Sequence, residues 1–318
     1  MQPSRHCPFV PADGDLPLAN IDVLVVNANP LLNLVYRGRF TPGSVNRVDA
    51  TAMTAEGKGV NVARVLARHG HSVVLTGFAG GHSGAWLRDL IRADGIAEDC
   101  VPTTAPVRVG FMATACDLNH PTTVFPSGFA VTTDEYHALL ERIEAWSASV
   151  RLVIASGSVP DPVTEGLYAE LLELCHRRGL PCWLDAYGPA MRRALEGPVA
   201  PTLAKPNRQE HQPGFRWDRV EEMHITDGAG TILVDSRTGG HWRVAPPAIR
   251  QINPIGSGDC YLAGLAHGWL EGWDTERRLR YAAAAGSANA CHPEVATITP
   301  GDVEPLLPHV SVEILDRP

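Results

Sequence analysis

The residues with the most chemical content run Asn253-Pro254-Ile255-Gly256-Ser257-Gly258-Asp259 and lead into the apolar, helix-like stretch Cys260–Leu270. Small residues let the backbone approach a ligand closely, and successive N–H groups at a helix start form a cradle for an anion. Asp259 falls in the first helical turn, where the helix dipole favours an ionised carboxylate. A carboxylate beside an anion cradle suits a general base that takes a hydroxyl proton while a phosphoryl group arrives. The same residues also suit an ordinary glycine loop with an aspartate capping the helix, since such caps are common.

Two further clusters carry weaker signals. Lys205-Pro206-Asn207-Arg208-Gln209-Glu210 follows the apolar Thr202-Leu203-Ala204. An amide and a carboxylate three residues apart at a strand end could hold a hydrated Mg²⁺, which prefers oxygen ligands and keeps several waters. Alone, the motif reads first as a polar loop. Gly57-Lys58-Gly59-Val60-Asn61 opens a helical stretch. Glycines flanking a lysine at a helix start suggest a bound phosphate, although a tight turn with a solvated lysine has the same pattern. The G-x-x-x-x-G-K-[ST] spacing of a Walker A loop is absent.

Other chemistries find little support. Gly77-Phe78-Ala79-Gly80-Gly81-His82-Ser83-Gly84 is glycine-rich, but it lacks the G-x-G-x-x-G spacing of a dinucleotide loop and reads as packing or substrate-side backbone. The thirteen histidines contain no H-E-x-x-H or paired ligand spacing, which makes a metalloenzyme an improbable reading. Gly157-Ser158-Val159-Pro160 is not a G-x-S-x-G elbow, so a serine hydrolase lacks its nucleophile motif.

Short strand-like runs alternate with helical stretches around these motifs, the pattern of an α/β fold. Asp22–Val26, Ser72–Thr76, Arg151–Ala155 and Cys182–Asp185 are compact apolar runs, as a sheet covered on both faces demands. Helices are expected over Val60–His69, ending at Gly70, and over Ser83–Ala93 with Ser83 as its cap. A third should open with the capping box Thr132-Thr133-Asp134-Glu135, and a fourth should span Pro162 to Gly179. Leu34–Glu56 and Thr104–Gly128 alternate instead, and are expected to form antiparallel strands of a small projecting sheet. The expected organisation is therefore one core domain, made of residues 1–33, 57–103 and 129–318, with a discontinuous β-sheet lid from 34–56 and 104–128.

Composition agrees with a globular protein of one or two domains: 318 residues, 44% hydrophobic, 19% charged and seven tryptophans. That excludes a disordered or low-complexity chain. A net charge of −8, with Lys and Arg scattered singly, gives no basic face for nucleic acid. Apolar stretches such as Ile21–Val26 are too short to span a bilayer, and the first twenty residues show no signal-peptide core. Seven cysteines without a C-x-x-C read as reduced thiols of a cytoplasmic protein that binds no zinc through them.

In this order, the motifs resemble the ribokinase/PfkB family of carbohydrate kinases from about Ile21 to Val312. Asn253 to Asp259, with Ala263-Gly264 after it, is similar to the family's C-terminal signature. Gly57, Gly59, Asn61, Ala63, Gly70 and Gly80 follow its N-terminal one, with Glu56 where a small residue is usual. Gly157-Ser158-Val159-Pro160, Leu184-Asp185-Ala186-Tyr187-Gly188 and Lys205-Pro206-Asn207 with Glu210 fall where the family has its own versions. Asn29-Pro30, Gly57-Lys58-Gly59, Ser158-Val159-Pro160 and Lys205-Pro206-Asn207 look like the branch of 1-phosphofructokinases and tagatose-6-phosphate kinases. Three departures stand out: Asn33 replaces the aspartate that grips sugar hydroxyls, the lid motif reads Val107-Arg108-Val109-Gly110, and the segment between Glu210 and Thr226 is short.

The resemblance implies a ribokinase-like three-layer α/β/α core with a mostly parallel sheet and a small β-sheet lid. It implies ATP and Mg²⁺ as cofactors, and phosphoryl transfer to a hydroxyl of a ketohexose phosphate such as fructose 1-phosphate or tagatose 6-phosphate. Asp259 would be the base, with Gly256, Ser257 and Gly258 donating backbone N–H groups. Asn33, Gly57, Lys58, Asn61, Arg47 and Arg108 would hold the substrate. Lys205, Asn207, Thr226, Gly228, Gly230 and Asn289 would meet ATP, with Asn207 and Glu210 placing Mg²⁺. A homodimer through the lid would follow, without nucleic acid or membrane as partner. Two alternatives stay open: a kinase of an unphosphorylated sugar or nucleoside, and a non-catalytic sugar-phosphate-binding relative.

Overall fold

The computed structural model describes residues 21–38, 40–48, 51–114 and 120–316. The first twenty residues, where no signal peptide is expected, lie outside them, as do parts of both segments expected to form the lid. In chain order the strands are β1 (Val23–Asn27), β2 (Leu31–Arg37), β3 (Thr51–Glu56), β4 (Val73–Gly77), β5 (Ala97–Glu98), β6 (Val109–Thr114) and β7 (Thr122–Val124). There follow β8 (Leu152–Ser156), β9 (Cys182–Asp185), β10 (Leu203–Ala204), β11 (Glu222–Ile225), β12 (Ile232–Ser236), β13 (Gly240–Ala245) and β14 (Ser311–Leu315). The helices are α1 (Lys58–Arg68), α2 (Gly81–Ala93), α3 (Thr133–Trp146), α4 (Leu167–Arg177), α5 (Gly188–Glu196), α6 (Ser257–Leu270), α7 (Thr275–Ala290) and α8 (Pro300–Val303).

The main sheet runs β14-β13-β12-β11-β10-β9-β8-β1-β4-β5, parallel from β11 to β5 and antiparallel at the other edge. Its central strands are buried on both faces because helices cover both. Alternate side chains divide between two cores. Val23 and Val25 of β1 pack with residues of α1, α2, α6 and α7, while Leu24 and Val26 pack with α3, α4 and α5. Strand order reverses between β1 and β8, the kind of switch point where such sheets open a ligand crevice at their carboxyl ends.

The second sheet runs β3-β2-β6-β7. The expectation of purely antiparallel strands is corrected here, because β2 and β6 are parallel. Between them the chain returns to the core through α1, β4 and α2, and a connection of that length brings a strand back in the same direction. β2 begins at Leu31, so Asn33 belongs to this sheet, opposite Thr54 of β3 and Gly110 of β6.

Several helix ends also move. α1 starts at Lys58 rather than Val60, because the buried Asn27 side-chain carbonyl accepts the Gly59 and Val60 N–H groups at 2.7 and 3.3 Å. Ser83 does not cap α2. The helix begins at Gly81, and the Ser83 hydroxyl donates to the Val107 carbonyl instead. The Thr132–Glu135 capping box forms as expected. The segment from Pro162 splits into a 3₁₀ turn, Pro162–Thr164, and α4. Between Glu210 and Thr226 lies only a 3₁₀ turn, Trp217–Arg219, before β11.

No helix among the described residues is long and apolar enough to cross a membrane.

Candidate active site

A cleft of about 800 Å³ opens where α1 and α6 begin. Two glycines admit these helix starts. Gly256 has φ +83°, and a Cβ there would lie 2.6 Å from Val295. A Cβ on Gly57, at φ +142°, would lie 2.8 Å from Asn27 Oδ1.

Asp259 lines the cleft and is 6% exposed. Its Oδ2 accepts from the Asn61 amide at 2.8 Å. Arg64 fixes that amide's orientation by donating to Asn61 Oδ1 at 3.2 Å, and is itself held by Asp94 and the Ala55 carbonyl. Oδ1 of Asp259 is thereby left for a ligand. The helix dipole does not keep this carboxyl readily ionised: burial, with the Asp185 carboxylate nearby, pushes it up to about 7 against the opposing pull of Lys58, Asn61 and Lys205.

Charge in the cleft is organised by Asp185, a fully buried residue at the carboxyl end of β9 that the sequence reading did not place in the site. Lys58 Nζ donates to Asp185 Oδ1 at 2.9 Å and to Glu210 Oε1 at 3.0 Å, and it sits over the Tyr187 ring. Lys205 Nζ lies 3.2 Å from Asp185 Oδ2. Burial would lower Lys58, but Asp185, Glu210 and Asp259 outweigh it and raise it. Two of these partners hold Asp185 ionised despite its burial, namely Lys205 and Lys58. The Lys205 ammonium also flanks the anion cradle, since a Cβ on Gly258 would sit 3.2 Å from it.

The cleft gathers Asn33, Gly57, Lys58, Asn61, Arg108, Lys205, Asn207, Glu210, Thr226, Gly228 and Gly256 to Asp259. Asn33 is buried, and its Oδ1 has no hydrogen-bond partner. Arg108 donates to the carbonyls of Asn29, Pro30 and Pro126. Three expected contacts are not brought in. Arg47 lies on an exposed loop away from the cleft. Gly230 closes a turn through its N–H to the Asp227 carbonyl, outside the lining. Asn289 is fully buried with its amide spent on the Ile255 carbonyl, the Ser257 hydroxyl and the Ala296 N–H. It therefore positions the loop before α6 and does not reach into the cleft.

Among the cleft's oxygen donors, Glu210 fits Mg²⁺ and Asn207 does not ligate it directly. Asn207 Oδ1 accepts the Gln209 and Glu210 N–H groups, which uses both of its lone pairs. Asn207 Oδ1 therefore has no lone pair left for direct ligation of Mg²⁺, and its free amide N–H₂ suits a phosphate oxygen. Each Glu210 oxygen takes one donor, from Lys58 or the Asn207 N–H, and keeps a lone pair. Glu210 thus fits a Mg²⁺ that retains its waters.

Besides Asp185 and Arg64, the sequence reading missed the apolar end of the cleft, formed by Pro246, Pro247, Ala248, Ile249 and Ile255. The signal available for Asp185 was its place at the carboxyl end of a buried parallel strand. Arg64 offered only a charged residue among the mostly apolar buried positions of α1.

The chain matches the model of the pfkB family carbohydrate kinases over residues 28–213 and 217–301. Among solved structures it is similar to a possible 1-phosphofructokinase from Thermotoga maritima, with 23% identity over 92% of this chain and 99% of that one and a TM-score of 0.83. It is also similar to phosphofructokinase-2 from Escherichia coli in complex with fructose-6-phosphate, with 21% identity over 91% and 98% of the chains and a TM-score of 0.79. At these identities the structures show the shared fold.

Proposed function

The chain belongs to the pfkB family of carbohydrate kinases, phosphotransferases with an alcohol group as acceptor, and from that premise we propose that it moves the γ-phosphoryl group of ATP to a hydroxyl of a phosphorylated ketohexose. The observation that carries this reading is the meeting of Asp259, the α6 amino terminus, Lys58 and Arg108 in one cleft. Lys58 has three N–H donors and spends two, while Arg108 has five and spends three. One donor and two donors remain, enough to meet the three terminal oxygens of a substrate phosphate. Burial raises the Glu56 carboxyl on the same wall above the usual range, despite Arg64, so it adds less negative charge there.

Asp259 Oδ1 takes the proton of the acceptor hydroxyl, while Asn61 holds Oδ2 and so aims the carboxylate. Backbone N–H groups at Gly256 to Gly258, with Lys205 beside them, stabilise charge on the transferred group. Thr226, Gly228 and the Asn207 amide flank the phosphate path, and the apolar Pro246–Ile249 end suits a nucleobase. Mg²⁺ at Glu210 would neutralise nucleotide phosphate charge. The second sheet acts as a lid that excludes water, carrying Asn33 and Arg108 at its base.

Exposed apolar side chains on and beside that sheet, Phe40, Val109, Val124 and Phe125, support pairing of two chains through the lid. ATP and sugar phosphates meet in the cytoplasm, which is where the same reading puts the protein.

A second reading has its own support. With Arg47 outside the cleft and Lys58 already paired to two carboxylates, the acceptor end also suits an unphosphorylated sugar. A coupled ADP-release assay over fructose 1-phosphate, fructose 6-phosphate, tagatose 6-phosphate and the free ketoses separates the two. The proposal expects a kcat/KM for at least one phosphorylated ketose well above that for its free sugar. The reverse preference supports the second reading.

A further inference from the structure

Helices α1 and α6 both begin at the cleft, and their far ends meet at the opposite side of the core. There His71 Nε2 lies 2.7 Å from His267 Nδ1. Glu271 follows His267 by one helical turn, and one ligand atom from each of His71, His267 and Glu271 lies within 4.8 Å of the other two. None of the three lines the cleft, and no step of the kinase reading uses them.

We propose that His71, His267 and Glu271 bind a first-row transition cation of borderline softness, with Zn²⁺ as the fitting ion and water completing a four-coordinate shell. Two imidazoles and one carboxylate are the donor set such ions take, whereas Mg²⁺ and Ca²⁺ favour all-oxygen shells.

A carboxylate behind His71 supports the assignment. His71 Nδ1 faces the Asp22 carboxylate at 3.9 Å. A carboxylate there favours the tautomer with the proton on Nδ1, which leaves the Nε2 lone pair pointing at the other ligands. In the ion-free pair, His267 Nδ1–H then donates to that lone pair. Binding requires the His267 proton to pass from Nδ1 to Nε2 through water, with no net proton released. The two ligand nitrogens must also part from 2.7 Å to roughly 3.3 Å, the span set by Zn–N bonds of about 2.0–2.1 Å at a tetrahedral angle. Rotation of the His71 and His267 rings would have to supply that. Exposed Glu271 leaves the ion a route in.

A third imidazole packs beside the pair. His69 packs edge-on against His267 with ring centres 5.1 Å apart, and its Nδ1–H donates to the Val65 carbonyl. Its Nε2 is buried as a lone pair with no hydrogen-bond partner. His69 is not among the residues whose ligand atoms meet, so it packs beside the site without ligating.

The test is equilibrium dialysis of the full chain against Zn²⁺, without nucleotide and with Mg²⁺ in excess, alongside thermal melts. Wild type should take up one Zn²⁺ per chain, and Tm should rise by about 5 °C at a hundredfold excess over Kd. His71→Ala and Glu271→Gln should each weaken binding at least tenfold. Glu271 is exposed, so that variant remains informative even where His71→Ala folds poorly. No uptake by wild type at 100-fold molar excess, or unchanged affinity in Glu271→Gln, overturns the proposal; the latter would place the ion elsewhere, such as at a cysteine.

Discussion

The Asn61 amide donates to Oδ2 of Asp259 at 2.8 Å, joining residues 198 positions apart. This contact ties the start of α1 to the start of α6. It also decides which carboxylate oxygen faces the acceptor, because Arg64 holds the amide the right way round.

Asn61 stabilises the ionised form of Asp259, so its removal should raise that group further. The acidic limb of the kcat/KM profile, expected near pH 7, should then move up by about one unit in Asn61→Ala, the equivalent of one hydrogen bond to a charged group. Activity would fall more at pH 6.5 than at pH 8.5. A profile that keeps its limb in place contradicts the arrangement.

Three carboxylates, Asp185, Glu210 and Asp259, share the two ammonium groups of Lys58 and Lys205. A carboxyl raised in the folded state costs stability once pH passes its unfolded value of 3.8, and the cost is fully present above about 7. Asp259→Asn should therefore melt higher than wild type at pH 8, by an amount that shrinks steadily toward pH 5. Equal melting temperatures at pH 8 would refute the charge count.

How much of this site was legible in sequence depended on whether a residue acts within its own motif. Asp259 and its glycines carry the anion cradle and the base in one heptapeptide, and Lys58 announces itself between two glycines. The buried runs of β1, β4, β8 and β9 were equally plain, to within a residue or two, because burial on both faces leaves continuous apolar stretches. Asp185 acts on lysines distant in sequence, and Arg64 acts only by orienting Asn61, so neither announces its role within its own motif. The parallel pairing of β2 with β6 depends on where the chain returns from the core, which alternation alone does not encode. Asn289 and Gly230 match a family pattern, yet the structure spends their polar groups on holding loops.

Lys58→Met should raise KM for a phosphorylated ketose roughly tenfold to a hundredfold, through the loss of one charged hydrogen bond. KM for ATP should change far less. Initial-rate kinetics with each substrate varied would show it, and an unchanged KM for the phosphoketose would remove Lys58 from the substrate site.

Asn33 presents an unpartnered buried Oδ1 to the cleft, and an amide accepts on one side while donating on the other. A carboxylate would accept from two hydroxyls. Asn33→Asp should therefore alter the ratio of kcat/KM between fructose 1-phosphate, fructose 6-phosphate and tagatose 6-phosphate. If every ratio is preserved, Asn33 does not read the sugar.

Asp259 as the base for phosphoryl transfer is tested most directly by Asp259→Asn, assayed for turnover and for ATP affinity. Its kcat should fall by about 10²–10⁴ with ATP binding nearly intact and the fold retained. A correctly folded Asp259→Asn protein with near-wild-type kcat would contradict it.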